Sequence, residues 1–236
     1  MQPIVEAVYA VPGMSVGRIY IITGRDGLAL VDTSLSPATP ARLEPQLQQQ
    51  GYTLADIRHI LITHAHPDHI GGLAAFQQRV NARTYVHRRD APAVRGESPL
   101  VRPRREAVHG FAKLMSYGPT FAPPLPARVD VELKGGEKLD HILPGLEVVE
   151  MVGHSPGQVG FWWPEKRLLF GGDLVLHLPW GLTLPFAAFT VDMPAAKRAV
   201  CQIADLQPEI LCLGHGAPIV GGAGAQLRAL AARLKL

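Results

Sequence analysis

Short apolar runs separated by turn residues set the rhythm of this chain. Residues 4–8, 18–23 and 28–32 are β-rich runs, and Gly24-Arg25-Asp26-Gly27 between the last two has the composition of a hairpin turn. The spacing then predicts a helix over 40–50, with Ser36 or Thr39 as cap and Gly51 as stop. A strand over 56–63 follows (Ile57, Ile60, Leu61, Ile62), then a helix over 73–80 and another strand over Arg83–His87. Alternation of this kind predicts a sheet with helices on both faces.

Residues 88–128 break the rhythm. Pro92, Pro99, Pro103, Pro119, Pro123, Pro124 and Pro126 fall there, and the apolar spacing is only patchily helical. The segment is too short for a core of its own, so it is expected to be an inserted lid or helical hairpin in a single domain spanning 1–236. After it, 129–133, 146–152, 159–163 and 168–171 read as antiparallel strands. Asp192 is placed to cap a helix with Pro194 in its first turn, ending near Asp205. A last strand is expected over 209–213 and a last helix over 223–234. The halves 1–128 and 129–236 each pass from strands to helices, which suits two packed half-domains.

The polar residues at the ends of these strands carry the chemistry. The run Thr63-His64-Ala65-His66-Pro67-Asp68-His69-Ile70-Gly71-Gly72 holds four potential metal ligands directly after a buried strand. Residues i and i+2 of an extended chain point the same way, so His64 and His66 can share one cation. Asp68 and His69 follow as the chain turns towards a helix, where they can face a second. Imidazole with carboxylate suits zinc or a similar first-row metal. Three more candidates end apolar strands beside glycine: Gly153-His154-Ser155-Pro156-Gly157, Gly171-Gly172-Asp173 and Gly214-His215-Gly216. Seven ligands suit two closely spaced cations.

The order His-x-His-x-Asp-His…His…Asp…His resembles the metallo-β-lactamase superfamily of hydrolases, over motif positions from Asp32 to His215. The resemblance implies an α/β fold, a four-layer αβ/βα sandwich with a metal cluster at one edge of its two sheets. It implies that His64, His66 and His154 hold the first metal, Asp68, His69 and His215 the second, and that Asp173 bridges them. Asp68 and Asp173 are then the candidate catalytic carboxylates, and Asp32 orients a ligand histidine.

Departures from the family pattern narrow the reading. Asp173 stands where antibiotic-degrading members have a cysteine or no carboxylate, which points to the glyoxalase-II-like and lactonase-like branch. Gln158 replaces the second histidine usual in that branch, and Leu176 stands where the lactonases have a tyrosine. The short stretch after His215 is expected to lack the glutathione-gripping helices of glyoxalase II. The implied cofactors are two divalent ions, zinc first, with iron or manganese as alternatives. The implied reaction is attack of a metal-bridging hydroxide on a small ester, lactone or thioester. An iron-dependent oxidoreductase resembling persulfide dioxygenases, a phosphodiesterase and a non-catalytic scaffold remain alternatives. Tyr117, His109 and His177 are candidates for the leaving-group proton. The stretch from Leu178 to Phe186 is a candidate apolar pocket wall, and His59, His87 and His141 are expected to be surface or structural. No G-x-S-x-G elbow is present, so Ser155 is read as bracing its turn rather than as a nucleophile.

Composition changes this picture little. Hydrophobic residues make up 47% of 236, and no run approaches the roughly 18 apolar residues of a membrane span. The start of the chain does not read as a signal peptide. Cys201 and Cys212 both lie in apolar surroundings and are read as buried thiols, which suits a cytoplasmic protein. Net charge is +3 with a pI near 9.0. The excess collects in 88–128 (Arg88, Arg89, Arg95, Arg102, Arg104, Arg105, Lys113, Arg128), which reads either as a solvated surface segment or as a basic rim for an anionic small-molecule substrate. Aromatics interleave too sparsely there for nucleic acid. No membrane partner is expected, and the chain is expected to be a monomer or homodimer.

Overall fold

In the computed structural model, which describes residues 1–14, 16–104, 106, 108–115 and 121–234, most strands sort into two sheets. The first contains β1 (Gln2–Val5), β2 (Val8–Ala10), β3 (Tyr20–Thr23), β4 (Leu28–Val31), β5 (Ile57–Leu61), β6 (Arg83–His87) and β7 (Val131–Leu133), side by side in chain order. Connection length sets the direction of each strand. The Gly24–Gly27 turn, closed by a 2.8 Å backbone hydrogen bond, reverses the chain, so β3 and β4 are antiparallel. Helix α1 (Thr39–Gln48) carries the chain back before β5. The short helices α2 (Pro67–Ile70) and α3 (Leu73–Gln77) do the same before β6, so β4, β5 and β6 run parallel.

The second sheet has the order β14–β13–β10–β9–β8, built from β8 (Glu147–Glu150), β9 (Val159–Trp163), β10 (Leu168–Gly172), β13 (Ile210–Leu213) and β14 (Ile219–Val220). Its one parallel pair, β10 with β13, is joined through α6 (Met193–Asp205). Asp192 caps that helix, accepting a 2.9 Å hydrogen bond from the Ala195 N–H, and Pro194 lies in its first turn, as the sequence pattern predicts. Helix α7 (Ala223–Ala231) packs on α6, and the hairpin β11 (Leu176–Leu178) with β12 (Gly181–Thr183) stands outside both sheets.

Side-chain alternation explains the layers. Tyr20 and Ile22 point between the sheets, against a core that includes Phe161, Trp163, Phe170 and Cys212. Ile19 and Ile21 point the other way, towards Leu43 and Leu47 of α1 and Phe76 of α3. On the far side Leu169 and Leu211 pack on Ala196, Val200 and Ile203 of α6 and Leu227 of α7. The result is a four-layer α/β sandwich. Each sheet therefore has helices on one face only, which corrects the expectation of helices on both faces. The inward face of each sheet is covered by the other sheet, a pairing that local periodicity does not encode.

Other corrections follow from the same packing. The segment predicted over 129–133 does not join the antiparallel strands after it. It forms β7, parallel to β6 through Tyr85↔Val131, so the first half extends to Leu133. The strand over 209–213 is not the last, because β14 pairs back on it. The backbone enters α1 through Ala38, with Ser36 Oγ accepting from the Ala38 N–H at 3.2 Å. Within the insertion, α4 (Ala91–Val94) buries Ala91 and Val94 in the outer core, while α5 (Gly110–Met115) lies beside the Ala187–Phe189 turn. Cys212 is buried, but Cys201 is only half-buried. No helix among the described residues is long and apolar enough to cross a membrane.

Phe76 is fully buried between α3 and the first sheet. Phe76→Ala is expected to destabilise the protein by about 3–5 kcal/mol, read as a lower urea midpoint at unchanged slope. A loss below about 1 kcal/mol would show that the helical layer does not depend on this contact.

Candidate metal centre

Both sheets present the ends of their strands at one edge, and seven polar side chains converge there. The chain leaves β5, bends at Thr63, passes His64, and enters α2 with an extended His66 at its cap and Pro67 in its first turn. Pro67 fixes the helix start, which places Asp68 and His69 in that first turn. His154 comes from the loop between β8 and β9, Asp173 from the end of β10 and His215 from the end of β13.

These side chains form two groups, His64 with His66 and His154, and Asp68 with His69, Asp173 and His215. Within each group the ligand-capable atoms all lie within 4.8 Å of one another. In the first group His154 Nε2 is 3.0 Å from His66 Nδ1. Two zinc–nitrogen bonds of about 2.0–2.1 Å at a tetrahedral angle separate their nitrogens by roughly 3.3 Å, so this spacing suits a shared cation. In the second group His215 Nε2 lies 3.0 Å from Asp68 Oδ2 and 3.1 Å from Asp173 Oδ2. Asp173 also reaches His69 Nε2 at 3.4 Å through Oδ1 and His154 Nε2 at 3.7 Å through Oδ2, so one carboxylate touches both groups.

The outer ring nitrogens are engaged, which turns the inner ones to the centre. His69 Nδ1 is 2.8 Å from Asp32 Oδ2, His64 Nδ1 3.1 Å from Thr63 Oγ1 and His154 Nδ1 3.3 Å from Thr190 Oγ1. His64 Nε2, His69 Nε2 and Asp173 Oδ1 are buried and have no hydrogen-bond partner. Buried polar atoms are rarely left in that condition, and orphaned ligand-capable atoms inside such groups are what metal would satisfy. The donor set therefore fits divalent metal.

Electrostatics separates the groups. Burial pushes the His64 imidazole well below its ordinary range, helped by His69, His66 and His154. It also lowers His66, and with His66 as neighbour it brings His154 down to about 3. These three rings offer neutral lone pairs. In the second group burial alone would lower both imidazoles. The carboxylates of Asp173, Asp32 and Asp68 instead raise His69, and Asp173 and Asp68 raise His215 to about 9. Burial would likewise raise Asp68, but His69 and His215 hold it at about 2. A cation entering this group would take the place of protons.

A family model described as the metallo-beta-lactamase superfamily matches residues 13–215. The chain belongs to that superfamily. A relative from Bacillus subtilis (strain 168), named probable metallo-hydrolase YflN, is 26% identical over 92% of this chain and 87% of its own length. A hydroxyacylglutathione hydrolase from Bartonella tribocorum is 25% identical over 72% of this chain, which spans only 51% of that relative. Among solved structures, the metallo-beta-lactamase family protein TTHA1429 from Thermus thermophilus superposes with a TM-score of 0.72 at 25% identity, covering 98% of this chain and 80% of its own. TTHA1623, solved in a di-iron-bound form, superposes at 0.66 with 26% identity, covering 93% and 98%.

Within this member of the metallo-beta-lactamase superfamily, two acids brace the centre. Asp32 accepts from the Thr63 N–H and from Thr63 Oγ1, both at 2.8 Å, and faces His69. Asp90 was not legible as part of the site and reads in sequence as one acid among the charges of the basic segment. It is buried, and its Oδ2 accepts from the Ala65 N–H at 2.9 Å and from Ser155 Oγ at 2.8 Å. It thus ties the loop of His64 and His66 to the loop of His154. Its position just after β6, at the edge where β5 delivers its ligands, was the available signal. Gly214 has a steric reason, since a Cβ there would lie 2.0 Å from Asp173 Oδ1.

The remaining candidates lie apart from the groups. His59 is buried and bonds Tyr85 and Asp26, His87 is buried beside Glu150, and His141 is exposed and meets Tyr85. His109 and His177 are exposed, and Tyr117 and Arg105 lie outside the described residues. Several arginines of the basic segment are paired: Arg89 with Glu150, Arg95 with Glu132 and Arg128 with Asp130.

Asp32→Ala removes the partner of His69 Nδ1. Calorimetry is expected to give about 10–100-fold weaker binding of one of two cations, with the other nearly unchanged. Equal binding of both by the variant would contradict the bracing role.

Proposed function

We propose that this protein is a dinuclear metal-dependent hydrolase of a small ester, lactone or thioester. The observation that carries this reading is the set of orphaned buried atoms, His64 Nε2, His69 Nε2 and Asp173 Oδ1, within the two groups of converging side chains. In this reading His64, His66 and His154 hold one ion, Asp68, His69 and His215 the other, and Asp173 lies between them. When bound, two divalent ions supply Lewis acidity that lowers the pKa of a coordinated water and polarises a carbonyl. The chain's own contribution is placement. Asp32 keeps a proton on His69 Nδ1, and Thr190 does the same for His154, so each ring turns its Nε2 lone pair inward. The Thr190 hydroxyl in turn donates to the Phe186 carbonyl at 3.0 Å, which links the 178–186 stretch to His154. Trp180 and Phe186 on that stretch are exposed, which supports its reading as an apolar wall for the acyl part of a substrate.

The names of the YflN and Bartonella relatives support hydrolysis, and the second supports an acyl group as the part released. Zinc is the first choice of metal for this ligand set. The di-iron form of TTHA1623 favours iron as a second reading, and with it the oxidative chemistry of an iron centre.

Zinc-loaded protein is expected to turn over aryl esters, lactones or thioesters, and chelation is expected to abolish the activity and lower the melting temperature. His69→Ala is expected to cut kcat/KM at least about 100-fold with little change in chelated melting temperature. Oxygen consumption by iron-loaded protein, with no ester turnover under any metal, would replace hydrolysis by the oxidative reading. Full ester turnover by His69→Ala would overturn the two-ion site.

A further inference from the structure

A groove of about 270 Å³ opens beside the centre, and Val11, Met14, Val16, Arg18, Gly214 and His215 line it. His215 forms its inner wall, with a third of that side chain exposed and its Nε2 already turned to Asp68 and Asp173. Arg18 shares the groove by register. Just before β3 begins, the ladder extends through a 3.0 Å bond from Val11 N–H to the Ile19 carbonyl, and Ile19 points to the outer core while Tyr20 points between the sheets. Period two then puts Arg18 on the Tyr20 face, at the edge where the sheets open and the ligands gather. Its own N–H donates to the Gly214 carbonyl at 2.9 Å, the residue before His215.

Val16 and Gly17 are held by close contacts. Gly17, at φ +72°, lies so close to α2 that a Cβ would fall 1.8 Å from the Asp68 carbonyl oxygen. Ser34 Oγ and the Leu35 N–H both donate to the Val16 carbonyl. Arg18 is half-buried, and no carboxylate pairs with it among the described residues, unlike Arg89, Arg95 and Arg128. The nearby acids, Asp68 and Asp173, are turned to imidazoles, and Tyr20 is kept neutral by burial while its hydroxyl donates to the Leu213 carbonyl at 2.7 Å. A guanidinium in a concave site with no counter-charge lacks only an anion.

We infer that Arg18 is a specificity-determining residue, seating a carboxylate or phosphate of the substrate in this groove while the scissile carbonyl lies at the centre beside His215. The inference rests on the hydrolase reading and narrows it to acyl substrates with an anionic end. It also moves the anion contact expected of the 88–128 arginines to the loop before β3.

The test compares three aryl esters on zinc-loaded enzyme: a glutarate monoester with a free carboxylate, its methyl-capped counterpart and a phosphonate-ended analogue. Wild type is expected to favour a charged ester over the capped one by about tenfold or more in kcat/KM, and the better charged end tells carboxylate from phosphate. Arg18→Gln is expected to collapse that ratio towards one through KM, and Arg18→Lys to restore part of it. No charge preference in wild type, or an equal loss on charged and capped esters in Arg18→Gln, would overturn the inference. Glutarate binding, followed as a melting-temperature shift, gives an arm independent of turnover. Stabilisation of wild type but not of Arg18→Gln, with no ester hydrolysed, would keep the anion seat and remove the hydrolase reading. Equal stabilisation of both proteins would remove the anion seat.

Discussion

A single buried carboxylate, Asp32, holds the ligand-bearing loops of the first sheet in register. It ends β4 in the left-handed region, at φ +62°, a conformation that costs a non-glycine residue on the order of 1–3 kcal/mol unless its surroundings hold it. Aspartate tolerates this better than most side chains. The surroundings here are the Thr63 N–H, the Thr63 hydroxyl and the His69 ring, all at 2.8 Å, while the Asp32 N–H donates to the Leu61 carbonyl at 2.9 Å. The same residue thus closes one parallel strand pair and sets the angle of an imidazole in the second ligand group. Fold and site share this contact.

The second constraint is the meeting of two sheets. Each supplies candidate ligands from loops at the same edge, and neither supplies all of a group. His64 and His66 come from the first sheet and His154 from the second; Asp68 and His69 come from the first, Asp173 and His215 from the second. Packing Tyr20, Leu61 and Tyr85 against Phe161 and Phe170 therefore does more than bury apolar surface, because it sets the distance across the centre. Asp90 and Ser155 add a polar bond across the same seam. Five imidazoles and two carboxylates are crowded there, and divalent metal would satisfy both kinds of group.

Local rules made part of this legible. The β3–β4 turn, the Arg83–His87 strand, the Asp192 cap and the ligand string after β5 each depend on neighbours in sequence, and each could be read from the chain. Other features depend on partners far away. The direction of β7 is decided by β6 across the insertion, and the second face of each sheet is covered by a layer from the other half of the chain. Asp90 resembles any charged loop residue until the His154 loop reaches it. Arg18 opens a β-rich run, and only the return of β13 places His215 beside it. The long-range share of the fold is also the share that builds the centre.

Anomalous diffraction from crystals of zinc-loaded protein, collected on both sides of the zinc edge, tests the two-ion centre most directly. Two zinc peaks about 3.5–4 Å apart are expected. One would be coordinated by His64, His66 and His154 and the other by Asp68, His69 and His215, with Asp173 touching both. No peak at this edge of the sheets, or one ion held by other side chains while these seven stay apart, would contradict it.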